Sequence, residues 1–372
     1  MKKNVALAMV FLALMAVGVY AQSESDFNVD LTKDGTGVVI TGYTGKQAAV
    51  TIPAKIQGYP VKEIGAEAFS LGGEISRATS REYNAPIEID AGASTRLTSV
   101  TIPAGVERIG GGAFFRQPLT SVNIPTSVTF IGNAAFTGCS SLAAVNIPAN
   151  VTAVGWRAFQ GCSSLTTITI PASVTSIGDR VFLNCSKLAT VNFSEGLVEI
   201  GSEAFNGCSA LKTVKLPNSL TKLGSSVFSD SGLNSVTLGT GLTEIPANAF
   251  SYQKDPYGND EDDNNYSGIP IKTIIIPEGV TKIGQSAFRS CKELTAVTLP
   301  STLQSIEADA FRGCSVLTTV TIPDTLTSVK FGSSVYWGMS DEPSLIGVFA
   351  GCPKILLASR AALKKIGYGH GF

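Results

Sequence analysis

Seven cysteines hold the most reactive potential in this chain, and their spacing is regular. Cys139, Cys162, Cys185, Cys208, Cys291, Cys314 and Cys352 each follow a phenylalanine by three positions. Thiols at a fixed spacing suit three chemistries: disulfide pairing, metal ligation and nucleophilic attack. Disulfides fit poorly, because stacked repeats point equivalent side chains the same way and leave their Cβ atoms about 4.8 Å apart, beyond bonding geometry. An odd count also leaves one thiol over. Metal ligation lacks a C-x-x-C pair, and His370 is the only histidine. Without a histidine in the body of the chain, no base is at hand to activate a thiol. The expectation is a column of small buried thiols. No catalytic, metal or cofactor-binding residue is assigned, no cofactor is expected, and no enzyme signature is found.

The most charged stretch is SYQKDPYGNDEDDNNYSG, 251–268. Asp255, Asp260, Glu261, Asp262 and Asp263 are hard oxygen ligands suited to Ca²⁺, but the alternate spacing and closing Glu of an EF-hand loop are missing. A solvated acidic loop is expected, and Ca²⁺ binding at 255–263 stays open. Tyr252, Tyr257 and Tyr266 make this loop a candidate recognition element. A second aromatic group, Tyr336 and Trp337 with Met339, reads equally as a contact patch or as local packing. A third class of candidate is broader. Outward positions of successive strands carry small polar residues, among them Thr167, Thr169, Thr190, Asn192, Thr213 and Lys215. They form either a shallow protein-binding surface or a Thr-rich ladder that only favours strand and solubility. Asn123, Asn146, Asn192 and Lys215 interrupt the TxT regularity that an ice-binding face would need.

What positions these residues is a repeat. Residues 165–187, LTTITIPASVTSIGDRVFLNCSK, show it whole: L-x-x-V/I-x-I-P-x-x-V-x-x-I-G-x-x-A/V-F-x-x-C. One copy alone cannot cover its apolar side chains, whereas stacked copies bury each other. The phenylalanine column marks eleven rungs: Phe69, Phe114, Phe136, Phe159, Phe182, Phe205, Phe228, Phe250, Phe288, Phe311 and Phe349. Most steps are 22 or 23 residues; long steps mark excursions near 70–96, 251–269 and 329–345. The first could hide a degenerate rung at 86–94. Glycine stands four before most of these phenylalanines, where it permits a backbone turn that a side chain would obstruct. Proline ends the T-x-T-I-P strand, since it has no N–H for a ladder. Alternation places Val/Ile inside and Thr, Ser or Asn outside. Equivalent strands must run parallel, and eleven of them at about 4.8 Å make one sheet roughly 50 Å long. V-T-x-I-G reads as a second short extended segment, and a helical period occurs only at Ser359–Ile366.

At 15% charged residues and a formal charge of −1, the chain has no basic field for a phosphate backbone, which argues against nucleic acid. Hydrophobic content of 44% supplies a continuous core. Residues 1–21, with Lys2 and Lys3 before an apolar run and Val19-Tyr20-Ala21 at its end, read as a secretory signal peptide. The run is too short for an anchor, and no second apolar span follows. Cleavage removes two positive charges and takes the formal net charge from −1 to −3. Residues 22–47 read as strands and turns forming an N-terminal cap, 48–352 as the repeat array, and 353–372 as a C-terminal cap.

The L-T-x-V-x-I-P-x-x-V-T-x-I-G-x-x-A-F-x-G-C-S pattern, nearly whole at 142–164, 165–187 and 294–316, resembles the BspA-like branch of the leucine-rich-repeat family of bacterial surface proteins. The resemblance covers roughly 48–352. It implies a curved, β-rich leucine-rich-repeat solenoid with one parallel strand per ~23-residue repeat, little helix and a cap at each end. It also implies attachment to host extracellular matrix, cell-surface proteins or other cells. No cell-wall or sorting module is recognised. The expected protein is an exported monomer, secreted, at the cell surface or in the periplasm; the rival reading is a periplasmic scaffold with no host ligand.

Overall fold

The computed structural model describes residues 22–72, 95–251, 268–331, 333–337 and 343–368, with 333–337 and 343–346 described by backbone alone. Residues 1–21, read as a signal peptide, segment 86–94, the acids of 255–263, Tyr252, Tyr257, Tyr266 and Met339 lie outside the described residues. The described residues form a parallel β-solenoid of eleven three-sided rungs, with an antiparallel hairpin at its start, a second near its end and one α-helix after it.

The first side of each rung is the T-x-T strand. In Thr167–Ile170 the threonines are exposed and Ile168 and Ile170 are buried, as the alternation requires. The following proline then closes a tight turn: Val174 N–H donates to the Pro171 carbonyl at 3.0 Å, and the same bond recurs after Pro103, Pro125, Pro148, Pro217, Pro277, Pro300 and Pro323. The turn delivers the chain to the second side, the short V-x-x-I strands such as Ser176–Ile177 and Glu199–Ile200, which are also parallel. The third side has no strand. Here Phe159 N–H donates to the Val181 carbonyl at 3.0 Å and Gly161 N–H to that of Leu183 at 2.8 Å, so it too forms a ladder to the next rung. Left-handed backbone bends this side: φ is 58° at Arg157 and 59° at Arg180, two residues after the column glycine in each rung.

Inside, the phenylalanine rings form one continuous stack from Phe69 to Phe349. Neighbouring centroids are 5.2–5.7 Å apart and interplanar angles stay at or below 17°. Offset rings at this separation attract as well as bury surface.

The structure bears on three expectations. Among the described residues the first two rungs are direct neighbours: Ala49–Thr51 pairs with Ser99–Thr101 and Phe69 stacks on Phe114 at 5.2 Å, which leaves no place in the ladder for a rung between them. The T-x-T ladder is not one sheet. It divides into sheets of six, two and three strands, with breaks after Thr190–Phe193 and after Ser235–Thr237. The column glycines stand where a side chain would obstruct, as expected, and the obstruction comes from the rung behind. A Cβ built on Gly178 would lie 2.8 Å from the Trp156 nitrogen of the rung behind, and one on Gly132 would lie 2.6 Å from the Gly110 carbonyl carbon.

Both ends of the stack are covered. At the start, the antiparallel hairpin Phe27–Leu31/Val38–Tyr43 joins the second ladder through Tyr59–Ile64. Its Phe27 and Tyr43 rings pack on Phe69. The Gln22 side chain satisfies the open strand edge, donating to the Ala49 carbonyl and accepting from Thr51 N–H. At the far end, the helix Leu357–Lys365 lies where Ser359–Ile366 was expected. Ser359 Oγ accepts from Val320 N–H at 3.1 Å, the Ile366 carbonyl from Val329 N–H at 2.8 Å, and Tyr368 meets Phe349 edge-on at 5.3 Å. Edge amides that would otherwise invite another chain are thereby filled.

Candidate binding face

Chemistry is withdrawn from the thiols by the way the rungs stack. All seven cysteines are free and buried. Each thiol donates to the carbonyl of the phenylalanine one rung behind, at 3.1–3.3 Å. Burial pushes the thiols of Cys185 and Cys291 up to about 12, so the thiolate that nucleophilic or metal chemistry needs is suppressed. Where the column lacks cysteine, another group answers. Gln117 stands in that position after the first excursion; its amide nitrogen donates to the Phe69 carbonyl and its oxygen accepts from Leu97 N–H at 2.7 Å. Among the described residues no group of three or more His, Cys, Asp or Glu is placed to hold a metal ion.

The outward polar residues are brought together. Thr167 pairs with Thr190 and Thr169 with Asn192 in exact parallel register, and Asn192 Nδ2 donates to Thr169 Oγ1 at 3.4 Å. One sheet further on, Thr213 pairs with Ser235 and Lys215 with Thr237. All six candidate positions are exposed on one face. Thr167–Ile170 pairs with Thr190–Phe193 and Thr213–Lys215 with Ser235–Thr237, so each of these strands is held by at least one parallel neighbour and the face is built on regular strand rather than loop. Its hydroxyls and amides offer hydrogen bonds to a partner.

Other hydroxyls of the same residue types are consumed by the scaffold. Ser173 Oγ donates to the Val151 carbonyl at 2.7 Å, and Thr302 Oγ1 to that of Val280 at 2.9 Å. Glu195 accepts from Asn218 and Ser219 N–H at 3.2 and 3.0 Å, and Glu278 from Ser301 N–H at 3.0 Å. These bonds hold both carboxyls below the usual carboxylate range. Residue type alone does not separate these structural groups from the outward ones; position within the repeat does.

Tyr336 and Trp337 are elsewhere. They lie on the strand Ser333–Trp337, paired antiparallel with Pro343–Gly347 in a two-stranded sheet that belongs to neither ladder. The hairpin departs after Lys330–Phe331 on the second side and returns to the Phe349 turn on the third, so the T-x-T side is not one it connects. Two concave regions were not anticipated. A cleft of about 650 Å³ lies between the N-terminal hairpin and the second ladder, lined by Asp34, Lys62, Glu107 and Arg108 among others. Two ion pairs line it, Lys62 with Glu107 and Arg108 with Glu63 at 3.9 Å. A smaller groove of about 380 Å³ follows the break in the second ladder at Lys222–Leu223.

With rung geometry and site in place, the comparisons are direct. A family model described as the BspA type leucine rich repeat region, in six copies, matches residues 62–189, 132–255 and 262–338. The chain belongs to the BspA-type leucine-rich-repeat family. No curated protein matches it. Several solved leucine-rich-repeat structures resemble it. A leucine rich cell surface protein from Faecalibacterium prausnitzii A2-165 is 24% identical, with 81% of this chain and 94% of that one covered and a TM-score of 0.41. A leucine-rich repeat protein from Bacteroides ovatus is 23% identical, covering 82% and 89%, with a TM-score of 0.36. The Pneumococcal vaccine antigen PcpA is 21% identical, covering 81% and 80%, with a TM-score of 0.44. In this chain the leucine-rich-repeat rung is the three-sided unit described above. Among the described residues, no helix is long and apolar enough to cross a membrane.

Proposed function

We propose that this leucine-rich-repeat protein is exported, displayed at or released from the cell surface, and binds proteins through the T-x-T face. In this reading Thr167, Thr169, Thr190, Asn192, Thr213 and Lys215 contribute to attachment to host matrix or to other cells. Tyr252, Tyr257, Tyr266, Tyr336 and Trp337 serve as accessory recognition residues in the excursions. The observation that carries the reading is the face itself: exposed hydroxyls and amides in parallel register on rigid strands. Family membership supports the class of protein, and a broad shallow surface suits a macromolecule better than a small ligand.

The test is a solid-phase panel of matrix proteins and whole cells, probed with the purified chain lacking residues 1–21. Saturable binding at about micromolar concentration, a free energy near −8 kcal/mol, is expected for at least one member. No binding to any of them sinks the attachment role. Protease treatment of intact cells tests display: lasting protection of the chain would assign it to the periplasm as a scaffold.

A further inference from the structure

The T-x-T face has an unusual charge distribution. Its outward residues, together with the residue leading into each strand, run from Ala48 to Thr321 across eleven rungs and include no Asp or Glu. They are Ala, Ser, Thr and Asn, broken only by Lys212, Lys215, Lys272 and Ile275. The second ladder contrasts sharply, mixing Glu63, Arg108, Glu199, Lys222, Glu244 and Lys282 along its outer side. The four exceptions on the T-x-T face fall within three consecutive rungs, the strands Thr213–Lys215, Ser235–Thr237 and Thr273–Ile275.

All three lysines are exposed. Lys212 Nζ donates to the Ser209 carbonyl at 3.2 Å, and no carboxylate among the described residues pairs with it. Glu195, whose carboxylate feels Lys215, is held in the turn beyond the strand by Asn218 and Ser219 N–H. Ile275 is 70% exposed, at the position that Lys215 and Thr237 occupy in the two rungs before it and Thr298 in the rung after. A large aliphatic side chain on the outside of a polar strand loses solvation free energy unless a partner covers it.

Resting on the protein-binding reading of this face, we propose that Lys212, Lys215, Lys272 and Ile275 form its anchoring spot and that the partner presents an acidic polypeptide segment carrying an apolar side chain. Lys212 and Lys272 hold the same place before their strands two rungs apart, about 10 Å at strand spacing, and Lys215 and Ile275 are the corresponding pair three residues further along. Extended chain spans that distance in roughly three residues, so carboxylates at positions i and i+3 with an apolar residue between them match the spot. Three cations on a neutral face are too few for a polyphosphate or polysulfate chain, whose affinity grows with the number of charges neutralised. Ile275 within the patch favours a polypeptide over such a polyanion.

The experiment is fluorescence anisotropy of a labelled peptide containing Asp-Leu-Ser-Asp against the chain from Gln22 onward. The comparison probes are Asn-Leu-Ser-Asn, Asp-Ser-Ser-Asp and heparin. The acidic peptide should bind, and should weaken as salt shortens the screening length from about 10 Å at 0.1 M. The double variant Lys215→Glu/Lys272→Glu should lose at least about tenfold in affinity, beyond what one surface pair supplies. Ile275→Ser should lose about threefold or more, as expected for uncovering part of an aliphatic side chain. Lys282→Glu, on the second ladder, should change nothing. Unaltered thermal midpoints would establish that all variants fold. Equal binding of the Asn peptide, or indifference to the double charge reversal, overturns the proposal. Heparin binding that survives Ile275→Ser while the peptides fail also overturns it, and assigns a polyanion patch. Failure of the matrix panel with success here would reject only the matrix partner. Matrix binding unaffected by the double variant would reject this spot and keep the attachment role.

Discussion

The Cys185 thiol donates to the backbone carbonyl of Phe159, one rung behind it, at 3.2 Å. This bond ties the cysteine column to the ring stack and gives the thiol a structural task. Ser231 occupies the same place in its rung, and its buried hydroxyl has no hydrogen-bond partner, because a C–O bond reaches less far than a C–S bond. Cys185→Ser should therefore cost about 1–3 kcal/mol, the price of an unsatisfied buried hydroxyl, measured by urea unfolding.

Thiol reagents give a second check. With the thiols of Cys185 and Cys291 pushed up to about 12 by burial, neither residue should be alkylated at pH 8 in the folded chain. All seven should react once denaturant is added, since none is in a disulfide. Rapid native labelling of Cys185 would contradict the buried column.

The ring stack carries much of the cohesion. Phe182 lies 5.7 Å from Phe159 and 5.2 Å from Phe205, with no exposed surface. Phe182→Ala should cost roughly 3–5 kcal/mol. Because each rung contacts only its neighbours, the loss should also lower cooperativity, visible as a broader denaturation profile. Gly178→Ala should be nearly as harmful, because its Cβ would meet the backbone nitrogen of Trp156 at 2.8 Å and only a backbone shift relieves that; overpacking of this kind costs about 1–3 kcal/mol.

Acid should weaken the fold through its turns. Glu195 and Glu278 accept backbone N–H groups from the next rung, and Asp34 accepts from Thr32 and Thr36, which lowers Asp34 to about 2. A carboxylate whose pKa is depressed on folding contributes stability above its unfolded pKa and loses it as pH falls through the folded value. The thermal midpoint should therefore fall below the ordinary carboxylate range, with the Asp34 part lost between about 3.8 and 2. Glu278→Gln should lower the midpoint at pH 7 and flatten its decline in acid. An unchanged acid limb would contradict this role for the turn carboxylates.

Removing the long acidic insertion should leave the stack intact. Phe250 and Phe288, on either side of it, are already in contact at 5.2 Å, so the rungs do not depend on residues 252–267 for their packing. A chain in which a short Gly-Ser link replaces them should keep its thermal midpoint within a few degrees, about 1 kcal/mol. A large drop would show that the insertion supports the core.

Much of this architecture was legible in the residues. Ile168 and Ile170 alternate with Thr167 and Thr169, and a period-two pattern at fixed 23-residue spacing admits few arrangements other than stacked parallel strands. The phenylalanine and cysteine columns declared their burial by the same repetition. The outward Thr, Asn and Lys positions followed from alternation as well. What repetition could not reveal depends on distances between rungs. Gly178 is needed because of Trp156 in another rung, and nothing within one repeat states how closely two backbones pass. The division of the T-x-T ladder into three sheets is a summed effect of small displacements, invisible to a column. Gln22 and Ser359 look ordinary in their local contexts, yet they close the two open edges because the chain ends return to them. Lys212, Lys215, Lys272 and Ile275 are separated in sequence by an insertion and become one patch only when rungs stack. Local pattern by itself determined which side of each strand faces in. Tertiary structure alone decided which residues of different rungs become neighbours, because stacking distance is set by the packing of every rung on the next.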